Sequence, residues 1–151
     1  MKKAIGLLRL MRPANIITAV SDILAGMAIA ACIANEGSAP QWQFVALLIL
    51  STIGLYGGGV VLNDVFDAEL DKTERPERPL PSGLIAKNTA AFFGTVLLLV
   101  GVIAAAGVHI DGWLSSSAFI AAAIAVCAVV YDKWMKHNHI LGPRKMGFCR
   151  G

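Results

Sequence analysis

The side chains able to do chemistry crowd into residues 63–83, which read Asn63-Asp-Val-Phe-Asp-Ala-Glu-Leu-Asp-Lys-Thr-Glu-Arg-Pro-Glu-Arg-Pro-Leu-Pro-Ser-Gly83. The stretch holds six of the ten carboxylates in the chain. Asn63, Asp67 and Asp71 recur every four residues, so each steps about 40° around a helix, and Asp64 falls about 100° from Asn63. The spacing therefore predicts four oxygen-bearing side chains on one helix face. Like charges stacked at i,i+4 repel one another in an isolated helix. A hard cation relieves that repulsion, and Mg²⁺ prefers carboxylate and carbonyl oxygens together with water or phosphate. Pro76, Pro79 and Pro81 then stop the helix and stiffen the segment after it. Arg75 and Arg78 are thereby held near the acidic face, and a guanidinium fork suits phosphate. Carboxylates, metal and arginine together point to a diphosphate site. The plain alternative is a solvated, mixed-charge loop between membrane helices.

The elements that must carry this stretch are apolar. The chain has 151 residues, 56% of them hydrophobic and 15% charged, with a mean hydropathy of +0.66. Soluble domains carry about 25% charged residues, so a membrane protein is expected. Four windows approach the roughly 20 apolar residues that a spanning helix needs: 15–33, 42–62, 89–108 and 113–131. Only the first contains a charge, Asp22. The expected fold is all-α, an integral membrane bundle of four transmembrane helices, with a motif loop at 63–88. All thirteen Lys and Arg residues lie before the first span, between the second and third, or after the fourth. The connectors at 34–41 and 109–112 have none. The positive-inside rule then puts both termini and the motif loop in the cytoplasm, at the inner membrane in a bacterium. The formal charge of +3 does not mark a nucleic-acid surface, because the basic residues sit at membrane borders.

Residues 1–14 read as a basic, amphipathic helix at the interface, and Pro13 suits a first helical turn. Arg12 and Asn15 then sit at the cytoplasmic mouth of span one. Asp22 lies about 10 Å deeper at helical rise. A charge at that depth normally faces a bundle interior or water. It is read as a hydrogen-bonding group for a substrate or a basic residue, or else as a structural bond between helices. Gly57-Gly58-Gly59 allows close backbone approach, or a bend as the second helix leaves the membrane. Span three reads as scaffold, in an antiparallel hairpin with span four. Lys136 emerges on the side of the motif loop, as a phosphate contact or a membrane-border anchor. His137 and His139 read as surface loop. Cys32, Cys127 and Cys149 are separated by the topology, so no disulfide framework is expected. Ile29-Ala-Ala-Cys32 looks like a lipoprotein cleavage site, but Asp22 and three further spans argue against cleavage.

The motif resembles the first aspartate-rich motif of the UbiA superfamily of intramembrane prenyltransferases. The matching residues are Asn63, Asp64, Asp67 and Asp71, then Arg75-Pro76 and Arg78-Pro79-Leu80-Pro81-Ser82-Gly83. Arg12-Pro13 before span one, and Tyr131 with Lys136 after span four, are similar too. The run from Leu55 to Asp71 is similar to the EboC-like branch. The resemblance implies Mg²⁺-dependent transfer of a prenyl group from an isoprenyl diphosphate to an aromatic or lipid acceptor within the membrane. It implies Asp64, Asp67 and Asp71 as catalytic metal ligands with Asn63, and Arg78, Lys136 and Arg75 as diphosphate contacts. Asp22 joins them as a substrate-side candidate. Family members have two such motifs on two helical halves; this chain resembles the first half, and its last residues read as the approach to another helix. A non-catalytic membrane protein that binds a divalent cation or a lipid diphosphate, or a transport component, is the alternative.

Overall fold

The computed structural model describes residues 2–34, 42–108 and 116–135, which form helices joined by turns and loops, with no strand among them. The elements are α1 (Lys2–Leu10), α2 (Pro13–Ala34), α3 (Trp42–Phe66), α4 (Ala68–Glu74), α5 (Lys87–Ala106) and α6 (Ser116–Val130), closed by a π-helical turn at Tyr131–Met135. Four segments are long and apolar enough to cross a membrane: Pro13–Ile33, Trp42–Phe66, Lys87–Ala106 and Ser116–Lys133. The four expected spans are therefore present, in a multi-pass, all-α integral membrane chain. The second runs past its expected end at residue 62. At 25 residues, α3 is about 37 Å long and outreaches the roughly 30 Å hydrocarbon core. Its surplus carries Asn63 and Asp64 to one membrane border while they remain on a rigid spanning helix.

Helices α3 and α5 form the central pair. Their backbones nearly touch, because side chains are missing where they cross. A Cβ at Gly54 would lie 2.6 Å from the Leu97 carbonyl oxygen and 2.7 Å from the Gly101 Cα. One at Gly58 would lie 2.8 Å from the Gly94 carbonyl oxygen. Small residues at such crossings replace the hydrophobic drive that lipid cannot supply. Of the glycine run at 57–59, Gly58 serves this approach and Gly57 faces Met11. The helix continues through all three without a break. Spanning hydroxyls close on their own helices: Thr18 donates to Ala14 O, Thr52 to Leu48 O and Thr95 to Ala91 O. Such back-bonding keeps these hydroxyl donors satisfied within hydrocarbon.

The apolar core lies at the motif end of α3. Leu10, Val61, Val65, Ile85 and Ala90 are buried together. Helix α1 thus does more than lie at an interface. Its Gly6 faces Leu84 and Ile85, and Leu10 is 1% exposed. The loop 75–86 supplies that cover and is folded rather than merely solvated. Ser82 N donates to Arg78 O, Ile85 N to Pro79 O, and Gly83 takes a positive φ of 74° that suits glycine. The motif loop is consequently clamped between α1 and α3.

Candidate functional site

Helix α3 ends at Phe66, one residue before the middle aspartate. Asp67 sits at a bend with φ −83° and ψ 0°, and α4 begins at Ala68. The single straight helix expected through residue 71 is therefore broken. The break is slight, since Asp67 N still donates to Asn63 O and Asp71 N to Asp67 O. The four-residue repeat consequently survives it. Asp64, Asp67 and Asp71 are all buried, at 4%, 8% and 5% exposure. Asn63 beside them is half-buried.

Buried carboxylates need partners, and two arginines supply them. Arg12 Nη2 donates to Asp64 Oδ1 at 2.9 Å. Arg78 Nη1 donates to Asp71 Oδ2 at 2.6 Å and reaches Asp64 Oδ1 at 3.4 Å. Arg78 thus bridges α3 and α4 across the bend. Burial weighs against its charge, but the Asp71 hydrogen bond and the charges of Asp64, Asp71 and Asp67 outweigh that and raise its pKa above the ordinary arginine value. Two guanidinium groups thus pair Asp64 and Asp71 on either side of the bend.

Arg75, expected beside Arg78, is exposed, and its side chain joins no carboxylate among the described residues. Its role there is in the backbone, where Arg75 N donates to Asp71 O and closes α4. Asp22 is exposed on α2 and forms no ion pair among the described residues. The half-buried residues of α2, Ile16, Ala19, Val20, Ile23 and Met27, recur on one face, and Asp22 lies to the side of that face. The described residues therefore do not bring Asp22 to the aspartates. Lys136, His137 and His139 lie outside the described residues.

Two features go beyond what the residue pattern assigns. The pattern sets Arg12 at the mouth of span one, and the structure pairs it with Asp64; the Arg-Pro preceding α2 is the available signal. Arg12 has φ 52°, the one positive φ outside glycine among the described residues. This turns α1 into α2 and aims the guanidinium at α3. Asp132, 8% exposed on the π-helical turn, is a further buried carboxylate, and its turn touches α3. No pattern in the sequence distinguishes it from a membrane-border charge.

No three His, Cys, Asp or Glu side chains among the described residues are arranged as a metal cage. The donor set is nonetheless one that a hard cation accepts. Three buried carboxylates and a carboxamide offer oxygen, and among the described residues no donor reaches Asp64 Oδ2 or Asp71 Oδ1.

Comparison with known proteins gives the family. The model of the UbiA prenyltransferase family matches residues 23–151. Digeranylgeranylglyceryl phosphate synthase of Methanococcoides burtonii is 30% identical over 151 residues, covering 95% of this chain and 50% of that protein. The synthase of the same name from Methanothrix thermoacetophila is 36% identical over 99 residues, 66% of this chain and 35% of that one. A solved chain from a structural study of digeranylgeranylglyceryl phosphate synthase in membranes superimposes with a TM-score of 0.82 at 30% identity, covering 98% of this chain and 50% of that chain. The chain spans half or less of the length of these relatives. With most of its residues matched by the family model, the chain belongs to the UbiA prenyltransferase family.

Proposed function

We propose that this chain contributes the first half of a Mg²⁺-dependent prenyltransferase, with Asp64, Asp67 and Asp71 as the metal-binding carboxylates and Asn63 as a further ligand. The observation that carries this reading is a group of three buried aspartates, two of them, Asp64 and Asp71, joined to two guanidinium groups, at the border end of a spanning helix. Mg²⁺, when bound, offsets the charge of a diphosphate and eases its departure. Arg78, Lys136 and Arg75 are assigned to phosphate oxygens. Their fixed positive charge favours the step in which negative charge grows on the leaving group. In that step the allylic C–O bond breaks and its electron pair leaves with the diphosphate. The acceptor then bonds to the allylic carbon and loses a proton. Apolar helix walls exclude water from that carbon.

The name shared by the relatives describes a glyceryl phosphate carrying two geranylgeranyl groups. This favours a lipid acceptor over an aromatic one, namely a glycerol phosphate already bearing one prenyl chain, with geranylgeranyl diphosphate as donor. Asp22, about 15 Å along α2 from Arg12 at helical rise, is assigned to the acceptor side. The motif loop and both termini are assigned to the cytoplasm.

The test is Mg²⁺-dependent binding of geranylgeranyl diphosphate to the full-length protein in lipid nanodiscs, followed by transfer assays with prenylated glycerol phosphate and with an aromatic acid. Asp67→Ala and Asp71→Ala should each weaken Mg²⁺-dependent binding by about tenfold or more. Unchanged binding in both variants would remove the metal-site reading, and transfer to the aromatic acid alone would remove the lipid acceptor.

A further inference from the structure

Arg78 occupies the position that a cation would compete for. One nitrogen, Nη1, bonds Asp71 Oδ2 at 2.6 Å and reaches Asp64 Oδ1 at 3.4 Å, so a single positive charge ties together carboxylates on two helices. Side chains on α3 and α4 are thus held by the same group across the bend at Asp67. A divalent ion taking those oxygens would meet the guanidinium at close range. At about 4 Å two like unit charges still repel strongly near a protein surface.

We propose that Arg78 is the counter-ion that holds Asp64 and Asp71 together before the metal arrives. It then releases them to the metal and turns to the diphosphate, so that metal and diphosphate bind far better together than apart. This rests on the proposed metal and diphosphate site and adds to it a coupling carried by one residue. Metal alone must displace Arg78 without offering it a new anion. Diphosphate alone meets three buried carboxylates, which repel it. When both arrive, the carboxylates pass to the metal and the guanidinium passes to phosphate.

Arg78 is built for the exchange. Its side chain is 21% exposed, so it can be reached from outside the protein. Its bonds use only Nη1 among the described residues, and a guanidinium carries five N–H donors. The remaining fork can meet a phosphate before the carboxylates are released. Arg12 is not the exchanging group. Among the described residues its side chain bonds Asp64 Oδ1 and not Asp71, and it is anchored at the corner between α1 and α2. It stays and keeps Asp64 paired while Arg78 moves.

The experiment measures Mn²⁺, standing in for Mg²⁺, by electron paramagnetic resonance on the full chain in nanodiscs. Each titration is run with and without inorganic pyrophosphate and corrected for the metal–pyrophosphate complex in solution. In the wild-type chain pyrophosphate should raise Mn²⁺ affinity by about tenfold or more, within the usual range for coupled sites. Arg78→Met should bind Mn²⁺ alone several-fold more tightly than wild type, because no guanidinium has to be displaced. Its enhancement by pyrophosphate should fall to about twofold or less on the same scale. Arg78→Lys keeps the charge but lacks the fork, should fold where the Met variant does not, and should fall between the two in both readings. Weaker or unchanged binding of Mn²⁺ alone in the folded variants overturns the proposal, as does undiminished enhancement. Wild-type chain that binds Mn²⁺ and pyrophosphate without mutual enhancement overturns the exchange and leaves the site itself standing. Wild-type chain that binds neither, singly or together, overturns both.

Discussion

Arg78 and Asp71, seven residues apart, meet at 2.6 Å with their side chains only 21% and 7% exposed, whereas Lys72 and Glu69 meet at 2.8 Å with theirs 58% and 72% exposed. The two pairs have nearly equal length and opposite surroundings. Length says little about energy; solvent decides it. An exposed pair is screened and costs side-chain entropy, while a buried carboxylate stripped of its partner keeps its full desolvation cost.

Arg78→Ala should therefore lower stability by about 3 kcal/mol, the low end for breaking a buried pair, and Lys72→Ala should leave it unchanged within error. The Lys72 hydrogen bond and charge hold the Glu69 carboxyl below its ordinary range. Any contribution from that pair is then present at neutral pH and is lost as pH falls through the lowered pKa. Unfolding in mixed micelles at pH 7 checks the ranking, and equal losses from the two substitutions would show that burial does not separate the pairs.

A second contrast tests the α3–α5 crossing. Gly54→Ala would drive a methyl group into the backbone of α5, at 2.6–2.7 Å from three of its atoms. Backbone cannot rotate away, so the helices must part, at a cost of about 1–3 kcal/mol or more. At Gly26, in the middle of α2, nothing lies within 4 Å of the added Cβ. Gly26→Ala should be neutral or stabilising by about 0.5–1 kcal/mol, since alanine is the better helix former. Steric-trap or denaturant unfolding in micelles reads both, and a Gly54→Ala chain as stable as wild type would mean that the two helices have room to separate at no cost.

Much of the site is legible in the residues. Spans follow from composition because lipid demands internally satisfied helices. The four-residue recurrence of Asn63, Asp67 and Asp71 places the aspartates together even though the helix breaks at Asp67, because the i,i+4 bonds persist through the bend. Pairing between distant segments is not legible in the same way. Arg12 and Asp64 are 52 residues apart, and their meeting depends on a backbone reversal at Arg12 that the Arg-Pro dipeptide permits without requiring. Arg75 and Arg78 look alike in the sequence. Only the folding of the loop over Ile85 turns one of them inward and leaves the other exposed.

Orientation in the membrane is open to chemical labelling. Lys and Arg residues lie in α1 and the turn after it, in the motif loop and in the stretch after α6, and the connector at 34–41 has none. The positive-inside rule then places that connector outside. In a chain with Cys32, Cys127 and Cys149 changed to Ser, Ser38→Cys should react with an impermeant maleimide from the outer side, and Ser82→Cys only after the membrane is opened. The reverse pattern would invert the topology and put the aspartates on the outer face.

Arg12 permits a finer test, because its backbone and its side chain act in opposite directions. Its φ of 52° is a conformation that costs a non-glycine residue about 1–2 kcal/mol. The cost is tolerated because the turn makes two sets of bonds possible. The Arg12 carbonyl accepts from Asn15 N and Ile16 N, which closes the start of α2, and the guanidinium reaches Asp64 Oδ1 at 2.9 Å. Arg12→Ala keeps the backbone cost and loses the ion pair. Arg12→Gly loses the pair as well but removes the cost, against which the greater freedom of glycine in the unfolded chain sets about 0.4–1 kcal/mol. Arg12→Lys keeps both the cost and a charge, without the planar fork. The expected order of stability is wild type, then Lys, then Gly, then Ala, with Ala about 2 kcal/mol below wild type, as for a lost hydrogen bond to a charged group. The separation of Gly from Ala reads the backbone alone, and that of Lys from Ala reads the charge alone. Thermal unfolding of the four chains in one detergent measures both. An alanine variant more stable than the glycine variant would mean that the positive φ at Arg12 is relaxed on substitution, so that the ion pair with Asp64, rather than the turn itself, sets the corner between α1 and α2.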